Sequence, residues 1–324
     1  MAHNLTIRSN GFIEFAATGN RNAVWHGLGS YVTQEELNDI ETARKVTGMD
    51  WEVFTSPVIY QAGLEQKVDT SRQVLFRSDN HEVLSVMSKD YKIVQPGEVL
   101  EFFRDLVALH GLNLSAAGTL FGGKKYWATA ELGNKAEIVD GDSIGAYLLL
   151  TTSADGTLAT TAKVTSIRTV CNNTLQFALS DSGKVLKCNH SKTFDPRKFK
   201  IDLGLIDEGW DNFITNLKGL ASQKVQEDDV NAFFRKVVGI EGNEMTPGEE
   251  RQMIGLRHFY NNGAGKDFAQ GTKWNMLNAV TEMFTHGTAR TDASHRFNNS
   301  EFGKFASKKV EAYEMLVAEA STTF

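Results

Sequence analysis

The pattern of apolar and polar positions divides the chain into a strand-rich first part and a helical second part. In the first part, short apolar or alternating runs separated by turn residues predict three β-hairpins. These turn at Asp79-Asn80-His81, at Gly122-Gly123 and at Asp155-Gly156. After about residue 201 the apolar residues recur at helical spacing instead. The helical segments are 209–221, 228–240, 247–260, 273–287 and 300–320.

Three local signals add elements to the first part. Thr33 with Glu36 forms a capping-box pattern, which predicts a short helix that ends near Gly48. The run 51–61 reads as a strand, and Pro57 within it favours an edge strand or a break. Helical spacing returns over 97–111. The predicted fold class is therefore α+β, with antiparallel β-hairpins and packed helices followed by an all-α C-terminal region.

The length of the chain favours two domains. With 324 residues it exceeds the range in which one core usually suffices. We place the boundary near residue 200, where the pattern changes. Residues 1–200 form the α+β domain, a candidate for nucleic-acid binding, and residues 201–324 form a helical domain for assembly or partner binding.

One junction within the first part combines strand and helix signals with polar chemistry. Residues 165–179 read TSIRTVCNNTLQFAL, and the pattern predicts a strand followed by a helix. Asn172, Asn173 or Thr174 would cap that helix. Its N-terminal N–H groups, beside Arg168, would then form an anion site.

Charge is distributed unevenly along the chain. The net charge is −6, but residues 156–200 carry a local charge of +6, whereas residues 201–324 carry −5. Cations neutralise phosphates and aromatic faces stack on unpaired bases, so this basic segment suits single-stranded nucleic acid. A solvated surface with buried phenylalanines explains the pattern equally well. The candidate binding residues are Lys124, Lys125, Tyr126, Trp127, Lys163, Arg168, Lys184, Lys187, Lys192, Phe194, Arg197, Lys198, Phe199 and Lys200.

The sequence gives little support for a nucleotide site, a zinc site or a magnesium nuclease site. Gly122-Gly123-Lys124-Lys125 lacks the spacing of a P-loop, so we expect no nucleotide cofactor. Cys171, Cys188 and His190 lack the close pairs of a structural zinc site. The acidic runs at 227–229 and 249–250 suit helix N-termini better than a magnesium nuclease. We therefore predict no catalytic residue, no metal and no cofactor, and leave a metal-dependent nuclease as an open option.

The location of the protein is predicted from features that the sequence lacks. No window approaches 18 consecutive apolar residues, and the N-terminus has no apolar signal core. Two cysteines suit a reducing compartment. We therefore expect a cytoplasmic protein with no membrane partner.

Four stretches resemble a broad family of phage- and plasmid-encoded proteins of unknown function. They are VWHGLG (24–29), RTVCNNTLQFAL (168–179), KWNMLNAVTEMFTHG (273–287) and a closing Phe-Gly-x-Phe-x-x-Lys-Lys helix (302–309). Val24 stands where the family pattern has proline. The resemblance covers nearly the whole chain and implies a mobile-element origin and action in the cytoplasm of a bacterial host, without assigning catalytic residues.

A second resemblance concerns the order of elements only. Helix, hairpin, further strand and long helix across 33–111 resemble the β-β-β-α module of single-strand annealing recombinases, the RecT and Red-beta group. That likeness implies ATP-independent binding of single strands in a basic groove by a homo-oligomeric ring or filament. We therefore expect a single-stranded-DNA-binding protein of the annealing or recombination type. The alternative is a protein that contacts a host replication or defence protein.

Overall fold

The computed structural model describes residues 6–19, 29–110, 112–168, 174–176, 186–192, 206–264, 266–287, 299–301 and 303–321. The strands in these ranges are β1 (Phe15–Thr18), β2 (Ser30–Val32), β3 (Val53–Ala62), β4 (Glu65–Arg77), β5 (Val83–Ser88), β6 (Asn113–Leu120), β7 (Lys125–Val139), β8 (Asp142–Ser153), β9 (Thr160–Arg168), β10 (Thr174–Gln176) and β11 (Leu186–Cys188). The helices are α1 (Gln34–Asn38), α2 (Ile40–Val46), α3 (Pro96–His110), α4 (Ile206–Ser222), α5 (Glu227–Val238), α6 (Pro247–Asn262), α7 (Lys273–His286) and α8 (Lys304–Ser321). The predicted α+β class with a helical C-terminal region is confirmed.

Two sheets organise the described strands. The larger has the order β10-β9-β8-β7-β6-β1-β2, and β11 also pairs with β9. Both β10 and β11 therefore lie along the edge of β9 that faces away from β8. The smaller sheet has the order β3-β4-β5. All three predicted hairpins, β4–β5, β6–β7 and β8–β9, are present as antiparallel pairs.

Both faces of the larger sheet are buried near the start of β7. Tyr126 packs edge-on against Trp51, with ring centroids 6.0 Å apart, in the main core. The next residue, Trp127, points to the opposite face and packs against Phe15 at 5.9 Å. Because successive strand residues alternate in direction, one short segment anchors two cores.

The smaller sheet leaves much of its surface open. β3 lies at its edge, and its pairing with β4 shifts register between Pro57 and Val58, so both effects predicted for this proline occur. No charged residue occurs in β3. The exposed large apolar side chains of this sheet and its turns are Phe54, Ile59, Tyr60, Leu64, Val68, Val83 and Val86.

A buried ion-pair network attaches the N-terminal strand to the smaller sheet. The Arg77 guanidinium, on β4, donates to Glu14 Oε1 at 2.5 Å and to Asp79 Oδ2 at 2.8 Å. Arg8 Nε donates to the same Glu14 oxygen at 2.8 Å. Arg77 also lies over the Trp51 ring, 4.2 Å from its centroid. Glu14 and Arg77 are both fully buried, so the network stabilises the fold and is not a surface for ligands.

Gly123, in the β6–β7 turn, completes the enclosure of Arg77. Its φ of +89° is one that other residues rarely adopt. A Cβ atom there would lie 2.7 Å from Trp51 and 2.9 Å from Arg77 Nη1. Hairpin geometry and close packing therefore explain the Gly122-Gly123 pair without a phosphate ligand.

Helix α7 explains one of the sequence stretches quoted above. Its residues from Trp274 to Phe284 are buried along the whole circumference of the helix. Trp274 Nε1 donates to Asp142 Oδ2 at 2.9 Å, which joins the helical part to the start of β8. The pattern KWNMLNAVTEMF is therefore that of a central core helix. The predicted domain boundary near residue 200 falls outside the described ranges and stays a prediction.

The helix predicted in the second half of 165–179 is wrong for residues 174–176, the part of that half that the structure describes. Thr174–Gln176 form strand β10, with Thr174 opposite Ile167 and Gln176 opposite Thr165. A short apolar stretch cannot be assigned to helix or strand by periodicity alone, and here pairing with the edge of β9 decides. Without the helix there is no N-terminal anion site at Thr174. Residues 169–173 and 177–185 lie outside the described ranges.

Candidate functional site

Two of the candidate cations project from one face of the larger sheet. Lys163, on β9, is two residues after Thr161, and Thr161 pairs directly with Lys187 on β11. Directly paired residues and those two apart share a face, so Lys163 and Lys187 are diagonal neighbours about 7–8 Å apart. The sheet register therefore brings together two lysines that are 24 positions apart in the sequence.

These two lysines line a cavity of about 350 Å³ between the sheet and helix α8. Lys163 is 6% exposed, whereas Lys187 is exposed at the rim. The opposite wall comes from α8 and the residues just before it. The lining residues are Leu158, Thr161, Lys163, Lys187, Glu301, Gly303, Ala306, Ser307, Val310 and Glu311. We call this cavity the Lys163 pocket.

A buried charge cluster underlies the pocket. Lys309 Nζ lies 3.5 Å from Glu301 Oε1 and donates to Ser300 Oγ at 2.8 Å. Ser300 Oγ in turn donates to Glu301 Oε1 at 3.0 Å. Glu301 and Lys309 are 2% and 1% exposed. Among the described residues, Glu301 is a buried carboxylate that acts on both buried lysines, Lys163 and Lys309.

The cluster holds Lys163 near the point where it changes charge. Burial lowers the pKa of Lys163 to about 7, Glu301 opposes the shift, and Lys309 and Lys187 lower the pKa further. Burial likewise lowers the pKa of Lys309, and Glu301 opposes this as well. A lysine whose charge changes near neutral pH, in a pocket of ligand size, is a frequent mark of a functional site.

His190 fixes one wall of the pocket. Its Nδ1 lies 2.9 Å from the carbonyl oxygen of Lys92, and its Nε2 lies 3.0 Å from that of Leu158, a lining residue. The imidazole stacks on Tyr91 with centroids 4.5 Å apart. Because both ring nitrogens face carbonyl oxygens, His190 is placed as a structural clamp and not as a metal ligand. Among the described residues, no group of three or more His, Cys, Asp or Glu side chains is arranged to hold a metal ion.

The prediction that Tyr126 and Trp127 stack on bases is wrong. Tyr126 and Trp127 are 0% and 2% exposed, and Tyr126 donates its hydroxyl to the carbonyl oxygen of Val94. Neither ring is available to a base. Their neighbour Lys125 is half-buried, its amine lies 5.4 Å from the Phe121 ring centroid, and burial lowers its pKa. Lys124 is half-buried in the β6–β7 turn.

The remaining candidates are only partly described. Lys192 is exposed just after β11. The backbone of Arg168 pairs with Ile144 at the end of β9, but its side chain lies outside the described part. Six further candidates lie outside the described ranges altogether: Lys184, Phe194, Arg197, Lys198, Phe199 and Lys200.

Sequence reasoning missed the cluster partners Glu301 and Lys309. Both lie in or beside the closing Phe-Gly-x-Phe-x-x-Lys-Lys stretch, where two adjacent lysines take opposite roles. Lys308 donates to the carbonyl oxygen of Val237 on α5, whereas Lys309 points into the cluster. The adjacent lysines in this stretch could have been noted from the sequence as candidate site residues. Only the packing of α8 on β9 shows which of the two is buried.

The fold and the site define an α+β protein with a lysine-rich pocket between its sheet and its C-terminal helix. Comparison with protein families matches residues 83–306 to the domain of unknown function DUF932, and the chain belongs to this family. The match includes Lys163, Lys187 and Glu301. No curated protein and no solved structure matches the chain. None of the helices in the described ranges has the length and apolarity needed to cross a bilayer.

Proposed function

We propose that this protein binds single-stranded DNA as an ATP-independent annealing or recombination-type protein of a phage or plasmid, in the cytoplasm of its host. The observation that supports the proposal best is the convergence of Lys163 and Lys187 on one pocket beside the buried Lys309. Positive groups in a ligand-sized pocket suit the phosphates of a polynucleotide. Because Tyr126 and Trp127 are buried, binding through the described residues depends on charge more than on stacking.

Oligonucleotide binding tests this proposal. An oligothymidylate of about 30 nucleotides should bind at about 50 mM salt and lose affinity steeply towards 200 mM. Lys187→Ala removes one exposed phosphate contact, so the slope of log affinity against log salt should become shallower by about 0.7. The measurement is fluorescence anisotropy of the labelled oligonucleotide, titrated at several salt concentrations.

A matched control uses Lys218, an exposed lysine on α4 that does not line the pocket. Lys218→Ala should bind like the wild-type protein. Binding that is absent at low salt, or that ignores salt, would contradict the proposal. An equal loss in both variants would place the DNA elsewhere on the surface.

The exposed apolar surface of the smaller sheet favours a second role, protein–protein contact. Ile59 and Val68 are directly paired and share one face of the sheet, and neighbouring exposed apolar side chains of this kind mark interaction sites. We assign the contact to a second copy of this chain, since β3 is an edge strand without charged residues. Two β3 strands pairing antiparallel would therefore place no like charges opposite each other. This assignment agrees with the homo-oligomer expected from the sequence.

Light scattering after gel filtration tests the assembly. The wild-type protein should be oligomeric, and the double variant Tyr60→Ser/Leu64→Ser should be smaller, because it removes two exposed apolar groups from the β3–β4 hairpin. Ile254→Ser, at an exposed apolar position on α6, serves as the control and should leave the mass unchanged. A monomeric wild-type protein would instead favour the alternative, contact with a host replication or defence protein.

A further inference from the structure

The hairpin of β3 and β4 continues beyond the smaller sheet as an arm. β5 pairs with β4 only over residues 72–76, whereas the pairing of β3 with β4 reaches the turn at Gly63-Leu64. The register shift after Pro57 leaves residues 70–72 without a partner on β3 and separates the arm from the rest of the sheet. We call residues 58–69 the arm. Among the described residues, no third strand pairs with it.

The arm lacks the cover that a two-stranded ribbon needs. Two strands alone are marginally stable in water, and a third strand or a packed face gives them independent stability. Ile59 and Val68 are 60% and 54% exposed on one face of the arm, and Tyr60 is 50% exposed on the other. The Leu64 side chain at the turn is fully exposed. Both faces of the arm are therefore open, and an added strand would supply contacts that the arm lacks.

The outer edge of β4 presents backbone groups along the arm that no described strand pairs with. The turn has two residues, so the pair of residues that closes it is hydrogen-bonded. The alternation that follows directs the N–H and C=O groups of Gln66 and Val68 away from β3. Just beyond the arm, the Ser71 carbonyl oxygen already accepts from the Lys89 N–H at 3.0 Å. The edge that is open to a further strand therefore lies within the arm.

The charges of the arm identify the strand that suits this edge. Its charged residues are Glu65, Lys67 and Asp69, which alternate in sign along one face of β4. Two carboxylates and one lysine give the arm a net charge of −1, which disfavours a nucleic acid because that ligand is a polyanion. An antiparallel copy of the same edge is complementary when the two-fold axis passes at Gln66. Glu65 of each copy then lies opposite Lys67 of the other.

Two other registers use the same outward backbone groups and suit the edge less well. With the axis at Lys67, the two lysines oppose each other and Glu65 opposes Asp69, so like charges meet at every charged position. With the axis at Val68, Lys67 lies opposite Asp69. This carboxylate already accepts from Ser71 N at 2.8 Å and from Ser71 Oγ at 2.6 Å. The register with Glu65 opposite Lys67 leaves that turn intact.

We propose that the arm pairs through its β4 edge with the same edge of a second copy of this chain, antiparallel and with the two-fold axis at Gln66. The two arms then form one sheet in the order β3-β4-β4-β3. This pairing also brings the exposed Leu64 of each copy opposite Val68 of the other, beside Ile59. The inference rests on the self-association proposed above and deepens it by naming a second contact. Because β3 and β4 form opposite edges of the arm, the two contacts do not compete.

Charge reversal at the two pairing residues tests the inference. Lys67→Glu and Glu65→Lys each place like charges opposite one another twice, so the concentration at half-assembly should rise by about tenfold. Glu65→Lys/Lys67→Glu restores opposite charges and should assemble like the wild-type protein, as should an equimolar mixture of the two single variants. Light scattering over a concentration series measures the assembly at about 50 mM salt, where exposed charges are weakly screened. Lys218→Glu, at an exposed position on α4, should leave the assembly unchanged, and circular dichroism verifies that each variant is folded.

The outcomes distinguish this contact from the rest of the proposed function. A wild-type protein that is monomeric at every concentration would overturn this contact together with the proposed self-association. Oligomers whose mass is unchanged in both single variants would overturn the β4 contact and leave the contact through β3 in place. A loss that Glu65→Lys/Lys67→Glu does not restore would overturn the register with its axis at Gln66. Oligothymidylate binding is a separate measurement, so DNA binding stands or falls independently of these results.

Discussion

Glu14→Gln is expected to destabilise the protein by about 3–5 kcal/mol, the usual cost of removing one partner from a buried ion pair. The substitution keeps the shape of the side chain and removes its charge. Arg77, 1% exposed, would then keep only Asp79 as a paired carboxylate, and Asp79 is itself partly exposed. Arg8 would lose the same partner. Urea denaturation followed by tryptophan fluorescence gives the change in free energy of unfolding.

An exposed ion pair provides the comparison for this experiment. Lys236 Nζ lies 3.0 Å from Glu319 Oε1, and both side chains are largely solvated. Glu319→Gln should therefore change the free energy of unfolding by less than about 1 kcal/mol. If Glu14→Gln has an equally small effect, the network around Arg77 does not hold the N-terminal strand in place.

Hairpins and helices were predictable because their signals are local. The turn at Asp155-Gly156 and the alternating threonines after it lie within one hairpin, and no distant residue is needed to specify them. The helix N-terminus at Thr246 is similarly local, since Thr246 and Glu249 form a complete capping box. Fold class follows from such signals.

Elements that depend on a distant partner could not be assigned in this way. β10 has three residues, and only its pairing with β9 makes it a strand. Tyr126 and Trp127 follow two lysines and resemble an exposed binding tip. They are buried because helices cover one face of β7 and Phe15 packs on the other. Exposure depends on what covers each face, which the sequence around these residues does not specify.

The candidate site likewise depends on contacts between residues that are distant in the sequence. Lys163 and Lys187 were identifiable as cations in a basic segment. Their convergence depends on the register between β9 and β11, and their carboxylate partner Glu301 lies more than 100 positions further along the chain. The sequence therefore indicated the sign of the charge, whereas the pocket and its buried cluster required the packing of α8 against the sheet.

Lys163→Met is expected to stabilise the protein at pH 7, by about 4 kcal/mol from the ionisation of the lysine alone. The pKa of Lys163 is about 7 in the folded state, against an ordinary value of 10.5. Between these values the unfolded chain binds the extra proton, so the stability of the wild-type protein rises with pH across this window. Methionine has no proton to bind, and it fills a similar volume.

The advantage of Lys163→Met should therefore shrink as the pH rises, with the ionisation part falling to about 1 kcal/mol near pH 10. Urea denaturation of both proteins from pH 7 to 10 measures the difference, in which the titration of other groups cancels. Lys218→Met, at an exposed position, should show a pH-independent change within about 0.5 kcal/mol. Parallel pH profiles for the wild-type protein and Lys163→Met would show that folding does not lower the pKa of Lys163.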